Sequence, residues 1–250
     1  MILHFRATLF DPDFCLLFSE LIFMPVFLLS ETISFPHPRL ASKEGLLAVG
    51  GDLSQERLLL AYRHGIFPWF SDQEPILWWS PDPRLVLFPE DLYISKSLRR
   101  LLNKNTFQVS MDRAFQQVIS ECARVRIENN ERTWIVDEMI DAYSGLHAAG
   151  FAHSVEVWYK GELAGGLYGV SIGRCFFGES MFARISNASK VALVKLVDHL
   201  TSWSFQLIDC QVTTQHLIRM GAREISRNRF LAILDQALQF PTIQGSWQES

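Results

Sequence analysis

Two polar side chains in an apolar segment near the carboxy terminus have the chemistry to act on an amine nucleophile. Asp209 and Gln211 occupy alternate positions of residues 206–212, and in a β-strand such positions project from the same face. The carboxylate would accept protons from the amine, while the amide can both donate and accept a hydrogen bond. The alternative interpretation is a polar strand face that is exposed to solvent.

A third polar residue, Glu179, lies in a second apolar segment at residues 176–182. Strict alternation along a strand places it on the same face as Phe177 and Met181, so an acid would stand against an apolar wall. Such a group could belong to a catalytic centre. It could equally be a structural acid, because a buried carboxylate is tolerated once its hydrogen bonds are satisfied.

Seven tryptophans are a large number for this length, and four of them, Trp69, Trp78, Trp79 and Trp134, follow turn-like sequences. Large rings near loops can serve as platforms on which unpaired RNA bases stack, and each stack contributes about 1–3 kcal/mol. Packing in the core or between domains is the alternative for any one of these rings.

Four cations, Lys96, Arg99, Arg100 and Lys104, fall close to one face of a predicted helix at 95–103 and could contact phosphates. The formal net charge of the chain is −4, so a nucleic acid would have to be bound by such a local patch and not by the overall field. Few phosphate contacts would give a shallow salt dependence. A solvated helix face is the alternative.

Composition and missing motifs exclude several classes of protein. Apolar residues make up 48% and charged residues 20% of the 250 positions, which indicates a folded globular protein. The sequence contains no signature of P-loop or dinucleotide binding, zinc hydrolysis or G-x-S-x-G catalysis, so we predict no cofactor and no metal. The cysteines form no C-x-x-C pair, which favours a reducing, cytoplasmic setting. They are Cys15, Cys122, Cys175 and Cys210.

The amino terminus is apolar but does not resemble a membrane span. Its longest uncharged run, residues 21–30, is about half of the roughly 20 residues that a bilayer helix requires, and it contains Pro25. No A-x-A pattern follows, although an export signal is the alternative. A translation start at Met24 would make residues 1–23 an extension of the reading frame.

Hydrophobic periodicity and capping signals predict the elements that would position these residues. Helices are expected at 54–64, 95–103, 111–125, 137–149 and 189–201, and strands at 85–88, 153–159, 162–172, 174–182 and 206–212. Strands in series with helices before and after them indicate an α+β or α/β fold. We divide the chain into the extension at 1–23, a small amino-terminal domain at 24–84, a mixed-sheet domain at 85–240 and an unstructured tail at 241–250.

Sequence motifs spread over most of the chain resemble one family. They are GLLAVGGDL at 45–53, GIFPWF at 65–70, PILWWSPDPR at 75–84, HSVEVW at 153–158, GGLYG at 165–169, FGESMF at 177–182 and LIDCQ at 207–211. In this order they are similar to the bacterial leucyl/phenylalanyl-tRNA–protein transferases. The resemblance runs from about residue 35 to residue 230.

The resemblance implies a fold, an activity and partners. Members of the family have a small amino-terminal domain and a larger GNAT-like domain, of the acyl-CoA N-acyltransferase type. They transfer leucine or phenylalanine, and also methionine, from aminoacyl-tRNA to proteins that begin with lysine or arginine, which marks those proteins for degradation. Because the aminoacyl ester is already activated, no cofactor is needed. The resemblance further implies a cytoplasmic monomer that does not bind a membrane.

The resemblance also implies roles for single residues. Trp69 and Trp134 resemble the family tryptophans that hold the terminal adenosine of the tRNA, whose acceptor arm the four cations would contact. The polar residues beside the reacting groups correspond to Glu179, Asp209 and Gln211. In this arrangement Gln211 would take a proton from the amine, and Asp209 would polarise Gln211. Positioning and the hydroxyl of the substrate are the alternative source of the rate. The aminoacyl side chain would enter an apolar pocket formed by Leu167, Phe176, Gly178, Met181, Leu196 and Leu200.

Two other functions are alternatives at this point. An acyl-CoA N-acetyltransferase would share the mixed-sheet domain, but such enzymes have a Q/R-x-x-G-x-G/A loop before a helix, and residues 186–190 contain no glycine. A non-catalytic RNA-binding module would leave Asp209 and Glu179 without a role in activity.

Overall fold

A computed structural model describes residues 26–129 and 133–248. The extension predicted at residues 1–23 lies outside these ranges. Within them the chain forms a four-stranded sheet and a seven-stranded sheet that is covered by helices, so the predicted combination of strands and helices is confirmed. No helix in this part of the chain is long and apolar enough to cross a membrane.

The four-stranded sheet belongs to the amino-terminal part of the chain. Its strands are β1 (Phe27–Leu29), β2 (Leu46–Gly50), β3 (Phe67–Pro68) and β4 (Leu77–Trp79), in the order β1-β2-β4-β3. Helix α1 (Gln55–Arg63) follows β2 and begins at Ser54, whose side chain accepts a hydrogen bond from the backbone N–H of Arg57. After the helix the chain reverses at Gly65, where a φ of 69° suits glycine. The helix predicted at 54–64 is thereby confirmed.

The seven-stranded sheet contains both of the polar segments. Its strands are β5 (Arg84–Leu87), β6 (Gln108–Met111), β7 (Ala152–Tyr159), β8 (Glu162–Ile172), β9 (Cys175–Ala183), β10 (Leu207–Gln211) and β11 (Arg223–Ile225). The order is β11-β5-β10-β9-β8-β7-β6. Strands β9 and β10 pair in parallel, while the other pairs are antiparallel.

Helices pack on both faces of this sheet and divide the core into two clusters. Beyond α1 they are α2 (Lys96–Asn103), α3 (Phe115–Glu128), α4 (Asp137–Ala148), α5 (Ala188–Ser202), α6 (Gln215–Ile218) and α7 (Arg227–Ala237). The first core cluster contains residues of α3 and α4 and also reaches into the amino-terminal part through Leu58, Tyr62 and Trp78. The second cluster lies on the side of α5.

The helix predicted over 111–125 is wrong at its start. Residues up to Met111 belong to β6, and α3 begins only at Phe115. Between them Asp112 has a φ of 55°, in the left-handed region that an α-helix does not use. The sequence also does not predict β1–β4, β6, β11, α6 or α7. Residues 241–248 contain neither helix nor strand, yet Trp247 is only 2% exposed, so this segment is packed against the fold.

Candidate active site

A cavity of about 620 Å³ lies against strands β9 and β10 and is lined by residues of both parts of the chain. The amino-terminal part contributes Phe67, Pro68 and Trp69. Its polar side includes Glu179 and Gln211. The apolar side includes Leu167, Phe176, Met181, Leu193, Leu196 and Ile208.

Two β-bulges bring Glu179 and Gln211 together. On β9, Gly178 pairs with Gly169 and Ser180 with Tyr168, so Glu179 is an extra residue. On β10 the register against β5 shifts between Asp209 and Gln211. Bulges re-aim side chains and occur often beside active sites. Here the Nε2 of Gln211 donates a hydrogen bond to Oε1 of Glu179 at 2.8 Å.

Because of the bulge on β9, the prediction that Glu179 shares one strand face with both Phe177 and Met181 is wrong. Alternation predicts that Phe177 and Met181 share one face, but Phe177 packs in the first core cluster and Met181 against the second. The extra residue reverses the alternation beyond it. Glu179 is on the side of Phe177, because Tyr62 contacts both, with its ring 5.0 Å from that of Phe177 and its hydroxyl bonded to Glu179.

Glu179 is a buried carboxyl group that titrates near neutral pH. It is 7% exposed and accepts hydrogen bonds from the hydroxyls of Tyr62 at 2.7 Å and Tyr143 at 3.1 Å and from Gln211. Burial raises its pKa to about 7; the three donors oppose this shift, and the nearby charge of Asp209 adds to it. A group with such a pKa can both take and release a proton at physiological pH.

Asp209 is held by a buried ion pair that the sequence reading missed. Nε of Arg84 donates to Oδ1 at 2.8 Å and Nη2 to Oδ2 at 2.6 Å. The guanidinium lies between the rings of Phe67 and Phe230, at 4.7 and 4.6 Å from their centroids. Oδ1 also accepts the backbone N–H of Gln211 at 2.9 Å. The carboxylate therefore contacts the backbone of Gln211, whereas the side-chain amide of Gln211 donates to Glu179.

Tyr62 and Tyr143 are further site residues absent from the sequence prediction. Both are fully buried, and their hydroxyl oxygens lie within hydrogen-bond distance of each other and of Glu179. A signal for them exists in the sequence, because tyrosine on the apolar face of a helix brings a hydroxyl that needs a buried partner. The sequence does not reveal that the partner of both hydroxyls is Glu179.

The four tryptophans divide into two roles. Trp69 and Trp134 line the cavity; their rings meet edge to face at 6.0 Å, and the guanidinium of Arg126 lies 4.0 Å from the centroid of Trp134. Trp69 is 40% exposed, which leaves part of its ring accessible. Trp78 is buried in the core, and Trp79 donates its Nε1–H to the carbonyl of Trp69 at 2.7 Å. For Trp78 the packing interpretation is the correct one.

The apolar pocket contains five of the six predicted residues. Leu167, Phe176, Gly178, Met181 and Leu196 line the cavity. Leu200 does not: it is fully buried on α5, within the second core cluster behind the lining residues. The prediction that Leu200 lines the pocket is therefore wrong, because this residue packs in the core.

The four predicted phosphate-binding cations are not part of the cavity lining. Lys96, Arg99 and Arg100 lie on α2, and Lys104 caps its carboxy-terminal end. All four are exposed. The structure thus separates the cationic helix from the carboxyl–amide pair and leaves it open to solvent.

The fold and the site define the class of this protein. It is an α/β protein whose apolar cavity ends at a buried carboxyl–amide pair. The model of the leucyl/phenylalanyl-tRNA protein transferase family matches residues 86–235, and the model of its N-terminal domain matches residues 51–82. The chain belongs to this family. It is 64% identical over 225 residues to a leucyl/phenylalanyl-tRNA–protein transferase of Syntrophobacter fumaroxidans, covering 90% of this chain and 96% of the relative. A relative of the same name from Desulfatibacillum aliphaticivorans is 59% identical over 224 residues, with 90% and 96% covered.

Solved structures that resemble part of the chain include acetyltransferases. An aminoglycoside acetyltransferase from an uncultured soil sample has a TM-score of 0.37 at 12% identity and covers 46% of this chain and 84% of its own. A GNAT-family acetyltransferase from Staphylococcus aureus has a TM-score of 0.34 at 12% identity, with 41% and 70% covered. These overlaps are partial, and membership of the family rests on the sequence matches.

Proposed function

We propose that this protein transfers leucine or phenylalanine, and also methionine, from aminoacyl-tRNA to the α-amino group of proteins that begin with lysine or arginine. The observation that carries the proposal is the cavity itself. It joins an apolar wall, two tryptophans and the Glu179–Gln211 pair in one space of about 620 Å³. An aminoacyl-adenosine has three matching parts: an apolar side chain, a base that stacks and an ester that an amine attacks.

The tRNA end is the proposed ligand of the tryptophan side of the cavity. Trp69 and Trp134 would stack with the terminal adenine, which needs an accessible ring face. The aminoacyl side chain would fill the apolar side against Phe176, Met181 and Leu196, where removing its surface from water stabilises the complex. The ester carbonyl would then lie near Gln211. The exposed cations of α2 would contact phosphates of the acceptor arm.

The reaction exchanges an ester for an amide. The amine nitrogen of the acceptor forms a bond to the carbonyl carbon, the bond from that carbon to the ribose oxygen breaks, and a proton leaves the amine while one joins the ribose oxygen. We assign proton acceptance to Glu179, because this residue lines the cavity and its pKa is about 7. Gln211 would orient the amine through its amide. Holding both reactants in one site supplies much of the acceleration.

Asp209 acts in this proposal as a positioning residue and not as the base. Both of its oxygens are bonded to Arg84, and it is fully buried outside the cavity lining. Its contact with the backbone N–H of Gln211 fixes that residue at a positive φ of 63°, a strained conformation that places the amide beside Glu179.

The acceptor and the setting complete the proposal. The acidic group of Glu179 attracts positive charge to the site, which favours an acceptor whose first residue has the cationic side chain of lysine or arginine. Because aminoacyl-tRNA is the donor, the reaction would take place in the cytoplasm. We propose that the protein acts as a monomer, as the resemblance to the family implies.

A transfer assay tests the proposed function directly. Labelled leucyl-tRNA is incubated with a peptide that begins with arginine, and mass spectrometry locates the added residue. We expect one leucine on the α-amino nitrogen. The matched controls are the same peptide with an acetylated amino terminus and one that begins with glycine, neither of which should be modified.

Two results would count against the proposal. No leucyl-peptide in an assay where a relative is active would overturn it. Modification of the peptide by acetyl-CoA in place of leucyl-tRNA would instead support an acetyltransferase. Loss of transfer in Glu179→Gln with unchanged tRNA binding would exclude a module that only binds RNA.

A further inference from the structure

The carboxy-terminal segment at 241–248 is tied to the sheet domain although it forms no helix or strand. It lies beyond the residues that the family models match, 51–82 and 86–235. Hydrogen bonds join it to three places in the fold. They run from Gly173 N to Thr242 Oγ1 (3.0 Å), Gln244 Nε2 to Ala149 O (2.7 Å), Gly245 N to Gly150 O (3.2 Å), Trp247 N to Asp112 Oδ2 (2.8 Å) and Gln248 Nε2 to Asp112 O (2.7 Å).

Trp247 is the anchor of this segment. Its side chain is 2% exposed and stacks flat on the ring of His153, with 3.7 Å between centroids and 5° between planes. His153 is held in place by Asp112, whose Oδ2 lies 2.8 Å from Nδ1 of the ring. The same carboxylate accepts the backbone N–H of Trp247. One buried acid therefore fixes both the tryptophan and the ring beneath it.

The indole of Trp247 fills the space between the sheet and α5. Its centroid is 6.0 Å from that of Phe176 on β9, 4.9 Å from that of His199 and 5.5 Å from that of Trp203, the last two at the end of α5. Phe176 lines the apolar side of the cavity, as does Leu196 of α5. Trp247 thus stands behind the pocket wall and limits how far Phe176 can recede.

We propose that Trp247 is a positioning residue that sets the depth of the apolar pocket and thereby the preference between leucyl and phenylalanyl donors. The inference rests on the proposed function, since it concerns the donor side chain. Truncating a buried tryptophan leaves a cavity into which its neighbours relax only in part. In Trp247→Ala that space opens behind Phe176, so the pocket deepens and the bulkier phenylalanyl group gains over the leucyl group.

The test measures kcat/KM with leucyl-tRNA and phenylalanyl-tRNA on the full-length protein. For Trp247→Ala we expect the phenylalanyl-to-leucyl ratio to rise about 10-fold, the low end of what a change of pocket size gives. The matched control is Leu146→Ala, which removes a fully buried side chain of α4 in the first core cluster and outside the cavity lining. It should lower the melting temperature and leave the ratio unchanged.

Trp247→Phe keeps the test informative if the alanine variant does not fold. It retains an aromatic ring on His153 with less volume, so its ratio should lie between those of wild type and Trp247→Ala. A wild-type ratio in either folded variant would overturn the inference while leaving the proposed function intact. No transfer from either donor by the wild type overturns the proposed function instead, and the inference falls with it.

Discussion

Arg84 binds both carboxylate oxygens of Asp209, with Nε 2.8 Å from Oδ1 and Nη2 2.6 Å from Oδ2. Both side chains are buried, at 1% and 0% exposure. Bidentate geometry of this kind gives strong, directional hydrogen bonds. Both oxygens of this acid are already engaged, and this is why we assign proton transfer to Glu179 and a positioning role to Asp209.

Removal of Arg84 should cost both stability and activity. In Arg84→Ala the buried charge of Asp209 loses its partner, which destabilises a protein by about 3–5 kcal/mol. Urea denaturation measures this loss. The control is Arg223→Ala, whose ion pair with Asp91 is at the surface with Arg223 52% exposed; a loss of about 1 kcal/mol or less is expected there. Equal losses in the two variants would contradict the role given to the buried pair.

The rate of transfer should rise with pH through the pKa of Glu179. In the proposed reaction the ionised form takes the proton of the amine, and the pKa is about 7, so kcat should increase up to about pH 8 and then level off. Glu179→Gln has no proton to exchange and should lose most of the activity together with this inflection. A variant that keeps the wild-type profile would show that another group sets the pH dependence.

The same carboxyl group should make folding stability depend on pH. Its pKa is raised from 4.5 to about 7 in the folded chain, so the folded state binds more protons than the unfolded state between these values. The free energy of unfolding therefore falls as pH rises from 4.5 to 7, by on the order of 3 kcal/mol. Urea titrations at pH 5 and pH 8 should show this decrease in the wild type and a smaller one in Glu179→Gln.

Trp134→Ala should weaken the use of aminoacyl-tRNA without unfolding the chain. Loss of one base stack is worth about 1–3 kcal/mol, or roughly 5- to 150-fold in KM for the donor. Trp158→Ala provides the control, because this half-buried tryptophan of β7 donates to Ser110 and does not line the cavity. If both variants raise KM equally, Trp134 has no specific role in binding the tRNA end.

The cations of α2 should govern the salt dependence of the donor KM. Each lost phosphate contact reduces the slope of log KM against log salt by about 0.7–0.9. Replacing Lys96, Arg99, Arg100 and Lys104 by alanine should therefore flatten the plot. The control replaces four exposed cations on other segments, Lys43, Arg63, Lys160 and Arg229. A slope that responds equally to both sets would indicate general electrostatics and no defined site on α2.

The sequence predicts the segments of the site better than their register. Alternation correctly places Glu179 and Gln211 on strands, because apolar periodicity is a local property. The bulges at Glu179 and Cys210 depend on neighbouring strands, and a single extra residue reverses which face every later side chain occupies. The contact between Glu179 and Gln211 therefore follows only from the folded sheet.

Long-range partners are the other feature that local patterns do not reveal. Arg84 follows a proline-rich turn and meets an acid 125 positions away, and nothing near Arg84 in the chain identifies that acid. Trp247 lies in a polar segment with a glycine, which is typical of a disordered tail, yet its ring is buried on His153. In both cases the partner comes from tertiary packing and overrides the local signal.

Tyr62 links the amino-terminal part of the chain to the large sheet. It belongs to α1, while the carboxyl group that it contacts belongs to β9. A chimera that exchanged the amino-terminal part between distant relatives would also exchange a donor that lowers the pKa of Glu179. In the proposed reaction, a substitution that removes this hydroxyl from α1 therefore alters the acid–base behaviour of a residue in the large sheet.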